Sequence, residues 1–147
     1  MNERDSEREK YYALSYYTLA HRDPRFIHQH IVDAFTAQTA RQDSKPISLA
    51  FALIGLYLFV EKDYTGKQVQ LAHMELAKRK RKWPTFHLPE QRGDIRVADV
   101  LLRPEGKERD AMIRDWCASV WQAYNDSHSK VRDLFTDSLG HPSPATI

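Results

Sequence analysis

The sequence has little of what marks several large classes of protein. Cysteine occurs once, at Cys117, so no disulfide can form within the chain. There are 5 glycines and 7 prolines among 147 residues, and the prolines fall between periodic segments. This spacing is typical of helices joined by short loops. The net charge of +2 is too small to indicate a nucleic-acid partner by itself.

Short catalytic and nucleotide-binding motifs are missing too. The chain has no G-x-S-x-G, P-loop, G-x-G-x-x-G, H-E-x-x-H or paired C-x-x-C pattern. Their absence weakens hydrolase, nucleotide-binding and zinc-ribbon interpretations. The charged residues 1–10 lack the apolar stretch of a signal peptide. We therefore expect a cytoplasmic protein, because a lone cysteine is ordinary in a reducing compartment.

The longest apolar run, residues 47–60, predicts a central buried helix, because a helix that is apolar on every side must be surrounded. The run is shorter than the about 20 residues that cross a bilayer, so we expect no membrane partner. The sequence predicts an all-α single domain, residues 1–147, of five or six helices around this one, with loose termini at 1–5 and 140–147. Periodicity and caps place the other helices at about 5–21, 24–40, 65–82, 97–102 and 104–139, the last being one helix or two. Ser44 is the expected N-cap of the central helix, and Thr65 with Gln68 predicts a capping box at the start of the helix after it.

The segment 26–40 combines two histidines, an aspartate and two glutamines with no Lys, Arg or Glu, which indicates burial. At about 100° per residue, Gln38 lies on the apolar face of the predicted helix and His28 borders it. His30 and Asp33 lie on the other side, where they form a second polar pair, and the carboxylate could fix the tautomer of His30. The two histidines are therefore not a joint ligand pair, because residues i and i+2 point apart.

Histidines on the inner stripes of three predicted helices suggest a metal site. His28, His73 and His128 could bind a divalent ion such as zinc, nickel or iron, with Asp33 completing the shell. The alternative is that each is a core histidine bonded to a backbone carbonyl or a hydroxyl. The spacing leaves both interpretations open and favours the second.

Four further features have a functional and a structural interpretation. Cys117 could be a nucleophile, but its apolar neighbours favour a small buried side chain. The basic run 78–82 beside Trp83 could bind nucleic acid, but a solvated helix end is the expected role. The loop 83–93 could be a lid, or a connection anchored by its aromatic residues. Trp116 and Trp121, on adjoining faces of the last helix, suggest a homodimer through that helix.

Several patterns together resemble a known family. The most specific is Phe26-Ile-His-Gln-His-Ile-Val-Asp-Ala-Phe-Thr-Ala-Gln38. The others are the apolar residues 49–58, Trp83-Pro84, Val97-Ala-Asp-Val100 and Trp116-Cys-Ala-Ser-Val-Trp121. They are similar to a family of small prokaryotic helical proteins described as a domain of unknown function, DUF5946. The resemblance covers most of the chain and implies no activity. The late helix of that family often carries adjacent histidines, where this chain has His128-Ser129.

A weaker likeness is to the DinB-like metal-binding helical bundles, which typically use three histidines. Their late H-x-x-x-H pair is missing, because Arg132 stands four residues after His128. The likeness concerns architecture alone. The leading prediction is a helical binding or interaction module without established catalysis. The alternatives are a metal-dependent enzyme of the DinB-like kind and, more weakly, nucleic-acid binding through residues 78–82.

Overall fold

A computed structural model describes residues 3–20, 23 and 25–139, with side chains from residue 5 onward. Within these ranges the chain is all α, with no strand, as predicted. Its seven α-helices are α1 Glu3–Ala20, α2 His28–Thr39, α3 Pro46–Lys62, α4 Gly66–Ala77, α5 Val97–Leu102, α6 Lys107–Ala123 and α7 His128–Leu139.

Helix α3 is the centre of the fold, as the apolar run predicted. Ten of its residues are buried, and α2, α4, α6 and α7 all pack against it. Pro46 occupies its first turn, where a missing N–H costs nothing. The N-cap is Lys45, not Ser44 as predicted, because the Ser44 hydroxyl instead accepts a hydrogen bond from the Arg41 N–H at 2.9 Å.

Of two predicted helix starts, that of α4 is confirmed and that of α2 is wrong. Helix α4 ends at Ala77, ahead of the basic run that was expected to form its last turn. Helix α4 begins as predicted: Thr65 Oγ1 accepts from the Gln68 N–H, and Gln68 Oε1 accepts from the Thr65 N–H, at 3.1 and 2.8 Å. Helix α2 begins at His28, four residues after the predicted start. Phe26 has a φ of 56°, which an α-helix does not accommodate, so the helix starts only beyond it.

The last predicted segment, left open as one helix or two, is two helices, so the described ranges hold six α-helices besides α3, as expected. A 3₁₀ turn at Asn125–Ser127 separates α6 from α7. The His128 ring reaches back across this turn, and its Nε2–H donates to the Trp121 carbonyl at 2.8 Å. The same carbonyl also accepts from the Tyr124 N–H at 3.0 Å, so the His128 bond is its second hydrogen bond and connects the start of α7 to the end of α6.

Helix α1 carries both buried and exposed large apolar side chains. Leu14 and Tyr17 are buried, whereas Tyr12, Tyr16 and Leu19 are exposed. The Tyr17 hydroxyl donates to Asp110 Oδ1 at 2.8 Å and accepts from the Gly106 N–H at 2.9 Å, so it fixes α1 to the start of α6. The helix also begins at Glu3, so residues 3–5 are not a loose end; the predicted tail 140–147 lies outside the described residues.

The loop 83–93 is anchored to the body. Phe86 is buried, and Trp83 packs edge-on against Phe51 with 5.2 Å between ring centroids. The Arg92 guanidinium donates to the carbonyls of Gln38 and Ala40. The loop is therefore part of the core packing, as its aromatic residues predicted. Among the helices of the described ranges, none combines the length and apolar character needed to cross a membrane.

The two tryptophans on which the dimer prediction rested lie inside the fold. Trp116 is fully buried and Trp121 is 3% exposed. Neither can supply the exposed apolar face that was inferred from its spacing, so this argument for a dimer through the C-terminal helix is wrong. Self-association itself stays a prediction.

Candidate functional site

His28 and His128 each have a structural partner of their own. His28 Nδ1 lies 2.9 Å from Thr18 Oγ1, whose hydroxyl donates to the Ser15 carbonyl at 3.0 Å, so the ring N–H donates to Thr18. Burial lowers the pKa of His28. His128 stacks on Trp121 with 3.8 Å between ring centroids. These contacts connect α1 to α2 and α6 to α7.

Asp33 and His73, in contrast, approach each other above Gly55. A Cβ atom on residue 55 would stand 1.9 Å from Asp33 Oδ2 and 3.2 Å from His73 Nε2. The Gln29 amide donates to Asp33 Oδ1 at 3.2 Å and lies 3.5 Å from His73 Nδ1. Since His73 Nε2–H donates to the Phe51 carbonyl at 2.8 Å, Nδ1 is the acceptor in this neutral tautomer. Burial lowers the pKa of His73 accordingly.

His30 and Asp33 are buried at 2% and 3% exposure but do not form the predicted hydrogen bond. His30 Nδ1 and Asp33 Oδ2 both lack a partner among the described residues. The His30 ring instead stacks on Phe59, with 3.5 Å between centroids. The side of α2 that was expected to lie away from the core is covered by α3 and α6, so both sides of the helix are buried.

Burial sets the charge of this polar cluster. Desolvation lowers the pKa of His30 to about 3, and the cations Arg25 and Arg114 act in the same direction. Burial raises the pKa of Asp33 well above its usual range, against a smaller lowering by the Gln29 hydrogen bond. Both shifts favour neutral side chains, so the cluster avoids most of the cost of buried charge.

Cys117 is a structural residue in the same region. Its side chain is fully buried, and Sγ lies 3.6 Å from the His30 carbonyl. Burial raises the pKa of the thiol, and the nearby Asp33 adds to this. A thiol without access to solvent and with little tendency to ionise is a poor nucleophile, which agrees with the buried role predicted for it.

The four predicted metal ligands are therefore not brought together as a set. Asp33 and His73 meet, whereas His28 and His128 are engaged elsewhere. Within the part of the chain that the structure describes, no three His, Cys, Asp or Glu side chains are grouped so that they could hold a metal ion. The metal site and its zinc, nickel or iron stay predictions that the geometry does not strengthen.

Gln38, predicted as a buried polar residue, uses both donors and one of the two acceptor positions of its side-chain amide. Its amide donates to the carbonyls of Arg92 and Ile95 at 3.1 and 2.8 Å. Its Oε1 accepts from the Trp116 indole N–H at 3.0 Å. Gln38 therefore joins α2 to α6 and fixes the segment that leads into α5.

An open cleft of about 470 Å³ lies above Gln38, between α1, the end of α2 and the start of α5. Three cations from three elements line it: Lys10 on α1, Arg41 after α2 and Arg96 before α5. Its other lining residues are Ser6, Glu7, Gln38, Thr39, Val97 and Ala98.

The charge of the cleft is unbalanced in favour of cations. Glu7 is its only carboxylate, and Glu7 Oε1 lies 3.2 Å from the Arg96 guanidinium. Arg41 reaches Asp43, outside the cleft, at 3.7 Å. Lys10 makes no ion pair with any residue described in the structure.

A neighbouring depression of similar volume provides the contrast. It is lined by two cations, Arg41 and Arg92, and two carboxylates, Asp43 and Glu90. Its formal charge is balanced, whereas three cations face one carboxylate in the first cleft. Of the two, only the first therefore has an excess of positive charge in its lining.

Sequence reasoning missed this cleft because its charged residues carry no common motif. Lys10 belongs to a segment interpreted as plain solvated surface, and Arg41 and Arg96 stand in separate loops. Gln38 was the one residue of the cleft that the sequence singled out. A buried amide needs hydrogen-bond partners, so its predicted burial indicated that other segments meet there.

The basic run 78–82 has a structural role at one of its residues. The Arg81 guanidinium lies over the Trp83 ring at 5.4 Å and donates to Ser138 Oγ of α7 at 2.8 Å. Trp83 itself is half-buried against Phe51. Its faces are thus partly occupied, which leaves less surface for stacking a base; nucleic-acid binding stays a prediction.

Fold and site together define an all-α protein with a central buried helix, a neutral polar cluster and a cationic cleft. The sequence profile of one family, described as a family of unknown function (DUF5946), matches residues 8–125. The chain belongs to this family, as its residue patterns predicted. Comparison with curated proteins and with solved structures gives no match.

Proposed function

We propose that this chain is a binding module whose ligand is a small anion held in the cleft between α1, α2 and α5. The observation that carries the proposal is the convergence of Lys10, Arg41 and Arg96 around one space of about 470 Å³. That volume suits a small molecule. The cytoplasmic location expected from the single cysteine belongs to the same proposal.

The groups around the cleft suit phosphate or carboxylate oxygens. Guanidinium groups offer paired N–H donors in the geometry of an oxyanion, and Lys10 adds a mobile point charge. Ser6 contributes a hydroxyl on the α1 side. No nucleophile or general base is proposed in the cleft, so the proposal is one of binding and not of catalysis.

The cleft is built on rigid support. Gln38 fixes the carbonyls of Arg92 and Ile95, and Ile95 directly precedes Arg96. The Arg96 N–H donates to Asp99 Oδ2 at 2.8 Å, which holds the start of α5. The Arg41 N–H likewise donates to Ser44 Oγ at 2.9 Å. The backbone is therefore fixed at two of the three cations, which reduces the entropy lost when a ligand orders them.

Calorimetric titration with pyrophosphate and with citrate tests the proposal. We expect saturable binding that weakens as salt rises. Lys10→Ala and Arg41→Ala should each weaken binding by about tenfold, roughly 1.4 kcal/mol. Lys107→Ala, which removes an exposed cation outside the cleft, is the matched control and should leave binding unchanged. Equal loss in all three variants would show that the anions respond only to overall charge and would refute the cleft as the site.

A further inference from the structure

Exposed large apolar side chains are concentrated on two helices. Among the described residues seven such side chains are exposed, and five of them lie on α1 and α4. On α1 they are Tyr12, Tyr16 and Leu19, at 59%, 76% and 55% exposure. On α4 they are Leu71 and Met74, at 59% and 57%.

Each group forms one outward face of its helix. Tyr12, Tyr16 and Leu19 stand at spacings of four and three, so they project within about 60° of one another. Leu71 and Met74 stand three apart, which also places them side by side. Scattered single apolar residues on a surface need no explanation, but aligned groups mark interaction surfaces.

The charges that flank the two faces are opposite in sign. On α1 the face is preceded by Asp5 and Glu9, with Arg8 at its edge. On α4 the face is preceded by the single cation Lys67, whose Nζ lies 5.4 Å from the Phe26 ring centroid. It is followed by Lys78 and the exposed cations of residues 79–82, so the larger positive charge stands at its C-terminal end. Glu75 is the one carboxylate beside the α4 face, and it pairs with Lys78 at 2.9 Å.

The order of charge and apolar side chains makes the two faces complementary when the helices run antiparallel. Leu19, Tyr16 and Tyr12 would then lie along Leu71 and Met74, and the acidic start of α1 would reach the basic run 78–82. Helix α1 packs against α2 and α5, whereas α4 packs against α2, α3 and α7. Both faces point to solvent, so they can meet only between two molecules.

We propose that the α1 face of one copy of this chain docks on the α4 face of a second copy. Such a contact joins two different surfaces, so it is heterologous and leaves a free face at each end. It produces short head-to-tail oligomers, or a ring where the rotation closes. The complementary charges set the direction of docking, and the apolar side chains supply the buried area.

Sedimentation equilibrium with charge-reversed variants tests this contact. The average mass of the wild type should rise above 17.2 kDa with protein concentration. Asp5→Lys with Glu9→Lys reverses the α1 face, and Lys78→Glu with Lys80→Glu reverses the α4 face. Each double variant alone should self-associate at least tenfold more weakly. An equimolar mixture of the two should regain association, because the lysines of one copy meet the glutamates of the other.

Controls separate a lost contact from a lost fold. Leu102→Ser changes a side chain that is 82% exposed and lies on neither face, so it should not alter the mass. Every altered residue is exposed, and the Glu75–Lys78 pair that the α4 variant loses is an exposed ion pair, so far-UV circular dichroism should show the same helical fold in each variant. A mass near 17.2 kDa at all concentrations would overturn the proposal. Weakening by the α1 reversal alone would also overturn it, since a symmetric α1–α1 contact predicts that result.

Discussion

The two halves of α2 differ in whether their buried polar side chains have hydrogen-bond partners. In the second half, Gln38 has three hydrogen-bond partners for its side chain. In the first half, His30 Nδ1 and Asp33 Oδ2 have none among the described residues. A satisfied buried group fixes the chain around it, whereas an unsatisfied one costs stability. We infer that Gln38 holds the architecture of the cleft and that the His30–Asp33 half lowers the stability of the fold.

The largest expected effect comes from removing Gln38. Gln38→Ala leaves the Trp116 N–H and the carbonyls of Arg92 and Ile95 without partners and also opens a cavity. We expect a loss of about 3 kcal/mol in the free energy of unfolding, measured by urea denaturation. Gln42→Ala, at an exposed position, is the matched control and should change stability by less than about 0.5 kcal/mol. Similar small losses in both variants would contradict the inference that the hydrogen bonds of Gln38 hold this part of the fold together.

The next largest loss of stability is expected when a side chain is added at Gly55. In Gly55→Ala the new methyl group meets Asp33 Oδ2 at 1.9 Å, so one of the two side chains must shift. We expect a loss of about 2–3 kcal/mol in the free energy of unfolding. Combining it with Asp33→Ala removes the clash, so the double variant should be more stable than the sum of the single effects predicts. If the stability changes of the two single variants simply add in the double variant, the contact between residue 55 and Asp33 is contradicted.

The depressed pKa of His30 predicts a loss of stability in acid. Its pKa is near 6.5 when unfolded and about 3 when folded, so the unfolded chain binds a proton first as pH falls. The stabilisation is complete above the unfolded pKa and is lost progressively between the two values. Between pH 7 and pH 5 the loss from His30 is about 2 kcal/mol.

Urea denaturation of the wild type and of His30→Leu at both pH values isolates this contribution. His28 and His73, whose pKa values are also lowered, add slopes of the same sign. The variant should therefore keep a shallower dependence on pH than the wild type. Equal slopes in the two proteins would show that His30 is protonated as readily in the fold as outside it.

Asp33→Asn should have the smallest effect near neutral pH and the opposite dependence on pH. The raised pKa of Asp33 means that its contribution is present below its usual pKa and is lost as pH rises toward the folded value. The amide does not titrate, so the free energy of unfolding of the variant should increase relative to that of the wild type as pH rises. We expect a difference within about 1 kcal/mol at pH 6 that favours the variant more at pH 8, measured by urea denaturation. An equal difference in stability at pH 6 and pH 8 would show that the fold does not raise the pKa of Asp33.

The sequence predicted the parts of this fold that depend on local patterns. The apolar run identified α3, and Thr65 with Gln68 identified the start of α4. The periodicity of α2 placed Gln38 correctly but left His30 and Asp33 on an outer side, because one helix does not show that partners cover both of its sides. The exposed Tyr12 and Tyr16 show the same limit: their helical spacing defines a face but does not identify what packs against it.

The cleft was beyond prediction because it depends on tertiary structure alone. Lys10, Arg41 and Arg96 are separated by 31 and 55 positions in the sequence and meet only when α1 packs on α2 and α5. Long charged side chains are the usual composition of any surface, so none of the three stood out.

Calorimetric titration of pyrophosphate into the wild type, Glu7→Gln and Lys10→Ala tests the central claim most directly. Glu7 forms an ion pair with the Arg96 guanidinium at 3.2 Å. Neutralising Glu7 removes this competing carboxylate and leaves Arg96 available to the ligand. The proposed cleft predicts opposite effects: tighter binding in Glu7→Gln and about tenfold weaker binding in Lys10→Ala. Unchanged affinity in both variants, or no binding by the wild type at low salt, would contradict an anion site in this cleft.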